Sequence, residues 1–245
     1  MNKKIKLLLI GISLLTFNAC DKDDDASPKL QNTSINKILA LGASRVEGAR
    51  PIFESYRYEL WKDLKENNWT FDFIGTQTDA SSYPTFSNMN FDVDHEGRSG
   101  WTSGQILDGL NDWLNQTGAA DIVLLSSPGG NDGLQGLPYS QAVSNINSII
   151  DILQADNPNI TIIVEQMAPG RSDIMTPELT DFFDQMQSEV LNIATSQTTS
   201  TSLVIAIDMF TGFNDGLLAD DVHYNEAGAD FIATRYYNTI INVLE

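Results

Sequence analysis

Lys37-Ile38-Leu39-Ala40-Leu41-Gly42-Ala43-Ser44 is a short, continuous apolar run that stops at a small-residue turn carrying a serine. A run of four to eight apolar residues without alternation reads as a strand buried on both faces, the signature of a parallel sheet. Four more runs of this kind follow: Phe71–Ile74, Ile122–Leu125, Ile160–Val164 and Leu203–Ile207. Between and after them lie amphipathic stretches of helical length at Glu54–Glu66, Ser103–Asn115, Ser140–Ala155, Pro177–Thr195 and Glu226–Val243. Strand-helix alternation predicts a doubly wound α/β three-layer sandwich with a five-stranded parallel sheet, and right-handed crossovers put helices on both faces.

Ligands of such sheets bind at the carboxyl ends of the strands. Ser44 follows the first strand, the segment 95–103 the second, Asn131 the third, and Asp220 and His223 the fifth. All four segments therefore open on one edge. The chain has only two histidines, and His223 ends the sequence Asp220-Asp221-Val222-His223. An aspartate three residues ahead on a loop can take a hydrogen bond from the imidazole Nδ1–H, which leaves Nε2 as a base. A serine hydroxyl needs such a base to become a nucleophile, and the attack it makes creates an oxyanion that needs preorganised donors. The candidate donors are the backbone N–H groups of Ser44 and Gly100 and the side-chain amide of Asn131. Gly100 has no side chain to block an approaching substrate.

Ser44, Gly100, Asn131 and His223, in that order, resemble the Ser-Gly-Asn-His (GDSL-type) hydrolases. The likeness is greatest to the carbohydrate esterase family 3 acetylxylan esterases. It is carried by Ser55-Tyr56-Arg57 with Glu59-Leu60, by Phe73 to Gln77, and by Asp94 to Thr102 (DHEGRSGWT). Gly129 to Asp132 and Asp220 to Gly228 complete it. It covers residues 37–244, and DHEGRSGWT is its most specific part. The resemblance implies a flavodoxin-like sandwich. It implies Ser44 as nucleophile, His223 as general base and acid, Asp220 as its orienting partner, and Ser44, Gly100 and Asn131 as the oxyanion hole. The implied reaction removes acetyl or short acyl groups from an O-acetylated polysaccharide or oligosaccharide, through an acyl-enzyme and without metal or organic cofactor. The family has Gly-Asp-Ser where this chain has Gly42-Ala43-Ser44, a difference expected to cost rate or stability while leaving the chemistry in place. Two alternatives stay open: a non-catalytic glycan-binding lipoprotein on the same fold, and an esterase or lipase of this superfamily acting on another acyl ester.

Other candidates take lesser roles. His95 has only the adjacent Asp94 beside it and is expected to hold its segment in place. Arg57 shares a helical face with Leu60, Trp61 and Leu64, so it needs an acidic partner; substrate contact is its minority reading. Trp101 is a candidate platform for a sugar ring or a wall. Asp92, Asp94 and Asp132 lack the spacing of a metal site. Gly129-Gly130 is not followed by Lys-Ser/Thr, so it is not a phosphate loop.

The 245 residues carry a formal net charge of -19 and 42% hydrophobic residues. That length suits one α/β domain. With no basic stripe to neutralise phosphates, the charge argues against nucleic-acid binding. Lys3, Lys4 and Lys6 precede the apolar stretch Leu7 to Phe17, and Asn18-Ala19-Cys20 follows. This is the pattern of a targeting segment. Cys20 is the only cysteine, which rules out an internal disulfide. The arrangement resembles a bacterial lipoprotein processing site, with residues 1–19 as signal peptide and Cys20 lipidated. Asp21-Lys22-Asp23-Asp24-Asp25 is a solvated acidic run and resembles the surface-export signal of Bacteroidetes lipoproteins. The expected organisation is an acidic tether over residues 20–36 and a hydrolase domain over 37–245. The chain is expected to touch a membrane only through its lipid, at the cell surface or otherwise on the periplasmic face.

Overall fold

The computed structural model describes residues 35–245. The expected signal segment, Cys20 and most of the acidic tether lie outside the described residues. In chain order the elements are β1 (Lys37–Gly42), α1 (Ser44–Glu47), α2 (Arg57–Glu66), β2 (Asp72–Ile74), β3 (Gln77–Thr78), β4 (Asp94–Gly97) and α3 (Ser103–Thr117). They continue with β5 (Ile122–Leu125), α4 (Gly130–Leu134), α5 (Tyr139–Asp156), β6 (Thr161–Gln166), α6 (Pro177–Gln197), β7 (Leu203–Asp208), a 3₁₀ turn (Asp215–Leu217) and α7 (Glu226–Ile240).

β1 sits in the middle of the sheet. β5, β6 and β7 extend from one side of it, all parallel. Its other side is shared by two short strands: β2 pairs with Lys37–Leu39, and β4 pairs with Leu41–Gly42. β3 adds an antiparallel edge on β4. The sheet therefore has seven strands rather than the expected five, although they fill five strand positions and a two-residue edge. Gln77–Thr78 and Asp94–Gly97 contain no apolar run, so periodicity gives no sign of them.

β1, β5 and β6 are buried on both faces, as their composition predicts, while the outer strand β7 is partly open and exposes Leu203. Ile38 and Ala40 of β1 belong to a core with Leu60, Trp61 and Leu64 of α2 and Ile232 and Tyr236 of α7. Leu39 and Leu41 point the other way, into a core with Leu110 of α3, Ile146 of α5 and Val190 of α6. This is the three-layer sandwich expected from the alternation. Local chemistry sets the helix ends. Thr102 and Gln105 form a capping box at α3, and Thr176 caps α6 ahead of Pro177. α2 begins three residues later than expected because Glu54 is held in an extended bridge to Tyr224, and the Ser55 hydroxyl bonds the Val46 carbonyl. Asn36, expected to end the tether, is instead part of the domain. It is buried and exchanges hydrogen bonds with Glu245, its side chain donating to the Glu245 carbonyl and accepting from the Glu245 N–H. Among the described residues no helix is long and apolar enough to cross a membrane.

Candidate active site

Ser44 is the first residue of α1, immediately past the carboxyl end of β1. The Ala43 carbonyl accepts hydrogen bonds from the Val46 and Glu47 N–H groups, so main-chain bonds close this turn. His223 stands on the loop between β7 and α7. Its Nε2 lies 2.8 Å from Ser44 Oγ, and its Nδ1 lies 2.7 Å from Asp220 Oδ2. The other Asp220 oxygen accepts the backbone N–H groups of Val222 and His223 at 2.9 and 2.8 Å. Asp-x-x-His is thus a turn that folds the carboxylate under its own histidine. Burial works against the Asp220 carboxylate, but the Val222 and His223 hydrogen bonds outweigh it and bring its pKa below the usual value. A carboxylate at Nδ1 selects the Nδ1–H tautomer and turns the Nε2 lone pair to the serine hydroxyl. The third constraint on the ring is Phe53, stacked on it at 3.9 Å between centroids with 13° between planes. Sequence reasoning missed Phe53, an isolated aromatic in a loop of no periodicity. Bridges from Ala49 to Phe53 and from Glu54 to Tyr224 place it there.

The donor side is built from two turns. Asn131 lies in α4, and its side-chain amide donates to the Trp101 carbonyl at 2.8 Å. An amide has two N–H groups, so this bond orients the side chain and leaves the second N–H to meet a ligand. Asn131 and Ser44 line one recess with Gly130, Leu134, Met167, Phe183 and Val222. Asp132 is buried and accepts from the Ser103 N–H and hydroxyl at 2.8 and 2.7 Å, fixing α3 to α4. Gly100 occupies the tip of the turn after β4 at φ 78°, a left-handed conformation that glycine adopts without strain. A side chain there would meet nothing within 4 Å, so the glycine serves the turn and an open approach. Glu47 draws this turn onto α1 by accepting the Ser99 N–H at 2.6 Å. The close approach requires Gly97, where a Cβ would fall 2.4 Å from the Glu47 nitrogen.

Ser44, Asn131, Asp220 and His223 therefore converge on one edge. Arg57 does not join them. It has no exposed surface, pairs with Asp79 at 3.0 Å, and donates to the Val46 and Glu47 carbonyls at 2.7 and 3.0 Å. This burial corrects the reading of Arg57 as a substrate contact; it braces α1 from behind. His95 is also buried, its Nδ1 accepting the Gly97 N–H. Burial, and then the nearby Arg57 charge, lower its pKa to about 3, so it stays neutral and structural. Trp101 is half-buried, tilted against Trp113 at 5.7 Å with Arg98 over its ring at 5.1 Å. It lines a second recess beside Ala43 and Asn131. Among the described residues no cluster of three His, Cys, Asp or Glu could hold a metal ion.

Residues 68–231 match the family model described as GDSL-like Lipase/Acylhydrolase. Among solved structures, the chain is similar to an acetyl esterase in a serine-to-alanine form with acetate ion, at 25% identity and TM-score 0.72, covering 84% of this chain and 97% of that one. It is similar to a carbohydrate esterase family 3 protein from Talaromyces cellulolyticus, at 25% identity and TM-score 0.71, with coverage of 84% and 97%. It is also similar to the family 3 carbohydrate esterase of Clostridium thermocellum, at 28% identity and TM-score 0.68, with coverage of 84% and 96%. The comparison with curated proteins found no match.

Proposed function

The chain belongs to the GDSL-like lipase and acylhydrolase family, and from that premise we propose that it is a serine esterase that removes acetyl groups from O-acetylated polysaccharide or oligosaccharide. The observation that carries the reading is the unbroken chain from Ser44 Oγ through the His223 ring to Asp220, at 2.8 and 2.7 Å. Ser44 Oγ attacks the ester carbonyl carbon as His223 Nε2 takes the hydroxyl proton. Asp220 stabilises the imidazolium that forms. The negative charge on the former carbonyl oxygen is met by the Ser44 and Gly100 N–H groups and the Asn131 amide. Collapse breaks the bond to the sugar oxygen, which leaves with the proton held on His223. Water then attacks the acetyl-serine carbonyl with His223 again as base; collapse breaks the bond to Ser44 Oγ, which takes the proton from His223, and acetic acid leaves and ionises to acetate.

Two observations favour a short acyl group on a sugar. The recess at Ser44 is about 30 Å³ and is walled by Met167, Phe183 and Val222. That is room for about one or two water-sized groups, which suits an acetyl methyl. The carbohydrate esterases named above share the fold at 25% and 28% identity. With Cys20 lipidated and the acidic segment behind it as tether, the enzyme would work from the outer membrane at the cell surface. Initial rates on p-nitrophenyl acetate, butyrate and octanoate test the acyl preference. The acetate should give the highest kcat/KM, and an octanoate preference would overturn the acetyl assignment.

A further inference from the structure

Arg45 directly follows the nucleophile, and only 7% of it is exposed. Its guanidinium is directed at loop oxygens. Nε donates to the Val222 carbonyl at 2.8 Å, Nη1 to the Ala168 carbonyl at 2.7 Å, and Nη2 to the Pro169 carbonyl at 2.9 Å. A longer contact reaches Ser127 Oγ at 3.4 Å. The group also lies 4.8 Å over the Tyr224 ring. Burying a guanidinium is costly unless its donors are satisfied, so its placement fixes every loop it touches. Val222 precedes His223. Ala168 and Pro169 follow β6, and the next residues bond the same histidine loop, with the Arg171 N–H donating to the Asp221 carbonyl at 2.7 Å. Ser127 lies in the loop that leads to Asn131. That loop is gripped from its other side by Glu165, fully buried, which accepts the Ser127 N–H at 2.7 Å and the Tyr236 hydroxyl at 2.7 Å.

We infer that Arg45 is a positioning residue for the Ser44–His223 pair. Two contacts run side by side: Ser44 to His223, and the next residue along, Arg45, to the one before, Val222. The second locks the distance of the first, and the Ala168 and Pro169 bonds stop the guanidinium from swinging away. A lysine cannot copy this, because one ammonium head cannot serve carbonyls at both the Nε and the Nη positions.

The inference rests on the esterase reading, so its test includes a measurement that does not need turnover. In the full-length protein, Arg45→Lys and Arg45→Ala are compared with wild type in kcat and KM for p-nitrophenyl acetate, normalised to folded protein, and in the nitrogen-15 NMR of the His223 ring. Displacement of about 1 Å in a reacting pair costs about 100-fold. Arg45→Lys should therefore lose about that in kcat with KM within about twofold, the pattern of an interaction that acts at the transition state. Guanidinium ion at non-denaturing concentration should restore part of the kcat of Arg45→Ala, while sodium chloride should not. The His223 Nε2 resonance, which reports the hydrogen bond from the Ser44 hydroxyl, should move in the variants toward that of a ring without this partner, while Asp220 keeps Nδ1 protonated. Wild-type kcat and an unmoved Nε2 resonance in folded Arg45→Lys would overturn the inference. So would losses in both variants that merely follow the unfolded fraction and ignore guanidinium. Where Arg45→Ala does not fold, Arg45→Lys decides on kcat and the Nε2 resonance alone. If wild-type protein shows no turnover, the esterase reading fails, and the Nε2 comparison still decides the role of Arg45.

Discussion

His223 Nε2 stands 2.8 Å from Ser44 Oγ although 179 positions separate the two residues in the chain. They meet because β1 lies mid-sheet and the long loop after β7 folds back over the carboxyl edge. Bridges from Leu218 and Glu54, both to Tyr224, hold that loop in place. The pair is a product of packing at the sheet edge, and the chemistry proposed here depends on how firmly each neighbour holds it.

Asp220→Asn tests the hold on the ring. The amide keeps the size of the side chain but no longer favours the Nδ1–H tautomer, so the imidazole can turn its lone pair away from Ser44. A loss of about 10²–10⁴-fold in kcat is expected, with unchanged thermal unfolding as the control. A variant within about twofold of wild type would remove Asp220 from the mechanism.

Asn131→Ala removes one donor to the developing oxyanion. The expected loss is about 10²–10³ in kcat with little change in KM. Steady-state kinetics on a soluble acetyl ester separates this from a binding defect, which would raise KM alone.

Acid stability should depend on His95. Its folded-state pKa of about 3 lies below the ordinary histidine value, so the unfolded chain takes up the proton first as pH falls. The stability of the neutral, buried ring is fully present at neutral pH. It is lost below about pH 6.5 by roughly 1.4 kcal/mol per pH unit, until the folded form protonates near pH 3. Asp92 and Asp94, raised by burial and then by other effects including the neighbouring Asp72 charge, act in the opposite sense. The informative quantity is therefore the difference between wild type and His95→Gln in urea unfolding at several pH values. That difference should shrink on acidification, and a constant difference would contradict the account.

Arg57→Met should act on stability. It leaves the Asp79 carboxylate, 4% exposed, without its cation, and breaking a buried pair from one side costs about 3–5 kcal/mol. The Arg57→Met/Asp79→Asn double variant should recover part of this in chemical denaturation. KM of the folded fraction should not move, because the side chain has no exposed surface to offer a substrate.

The four apolar strands β1, β5, β6 and β7, the short β2 and the five long helices were legible because apolar runs and amphipathic stretches report burial directly. So were Ser44, Asn131, Asp220 and His223, since each follows a strand that the topology aims at one edge. Residues whose roles come from backbone geometry or from distant partners were not legible. Asp94–Gly97 is a strand made of polar residues, visible only through its pairing with β1. Arg45 and Phe53 show no periodic or spacing signal, since their partners, near positions 168 and 223, are far away in the chain. Ala43 stands where the resembled family has aspartate, and its carbonyl accepts the main-chain bonds that close the nucleophile turn.

Acetate release from acetylated xylan, by wild-type protein beside Ser44→Ala at equal folded concentration, tests the central claim most directly. The account predicts steady release by wild type and a loss of about 10⁴–10⁶-fold in the variant, as when a serine nucleophile is removed from such a triad. Equal release from both proteins would contradict Ser44 as nucleophile, and no release from either would contradict acetylated xylan as substrate.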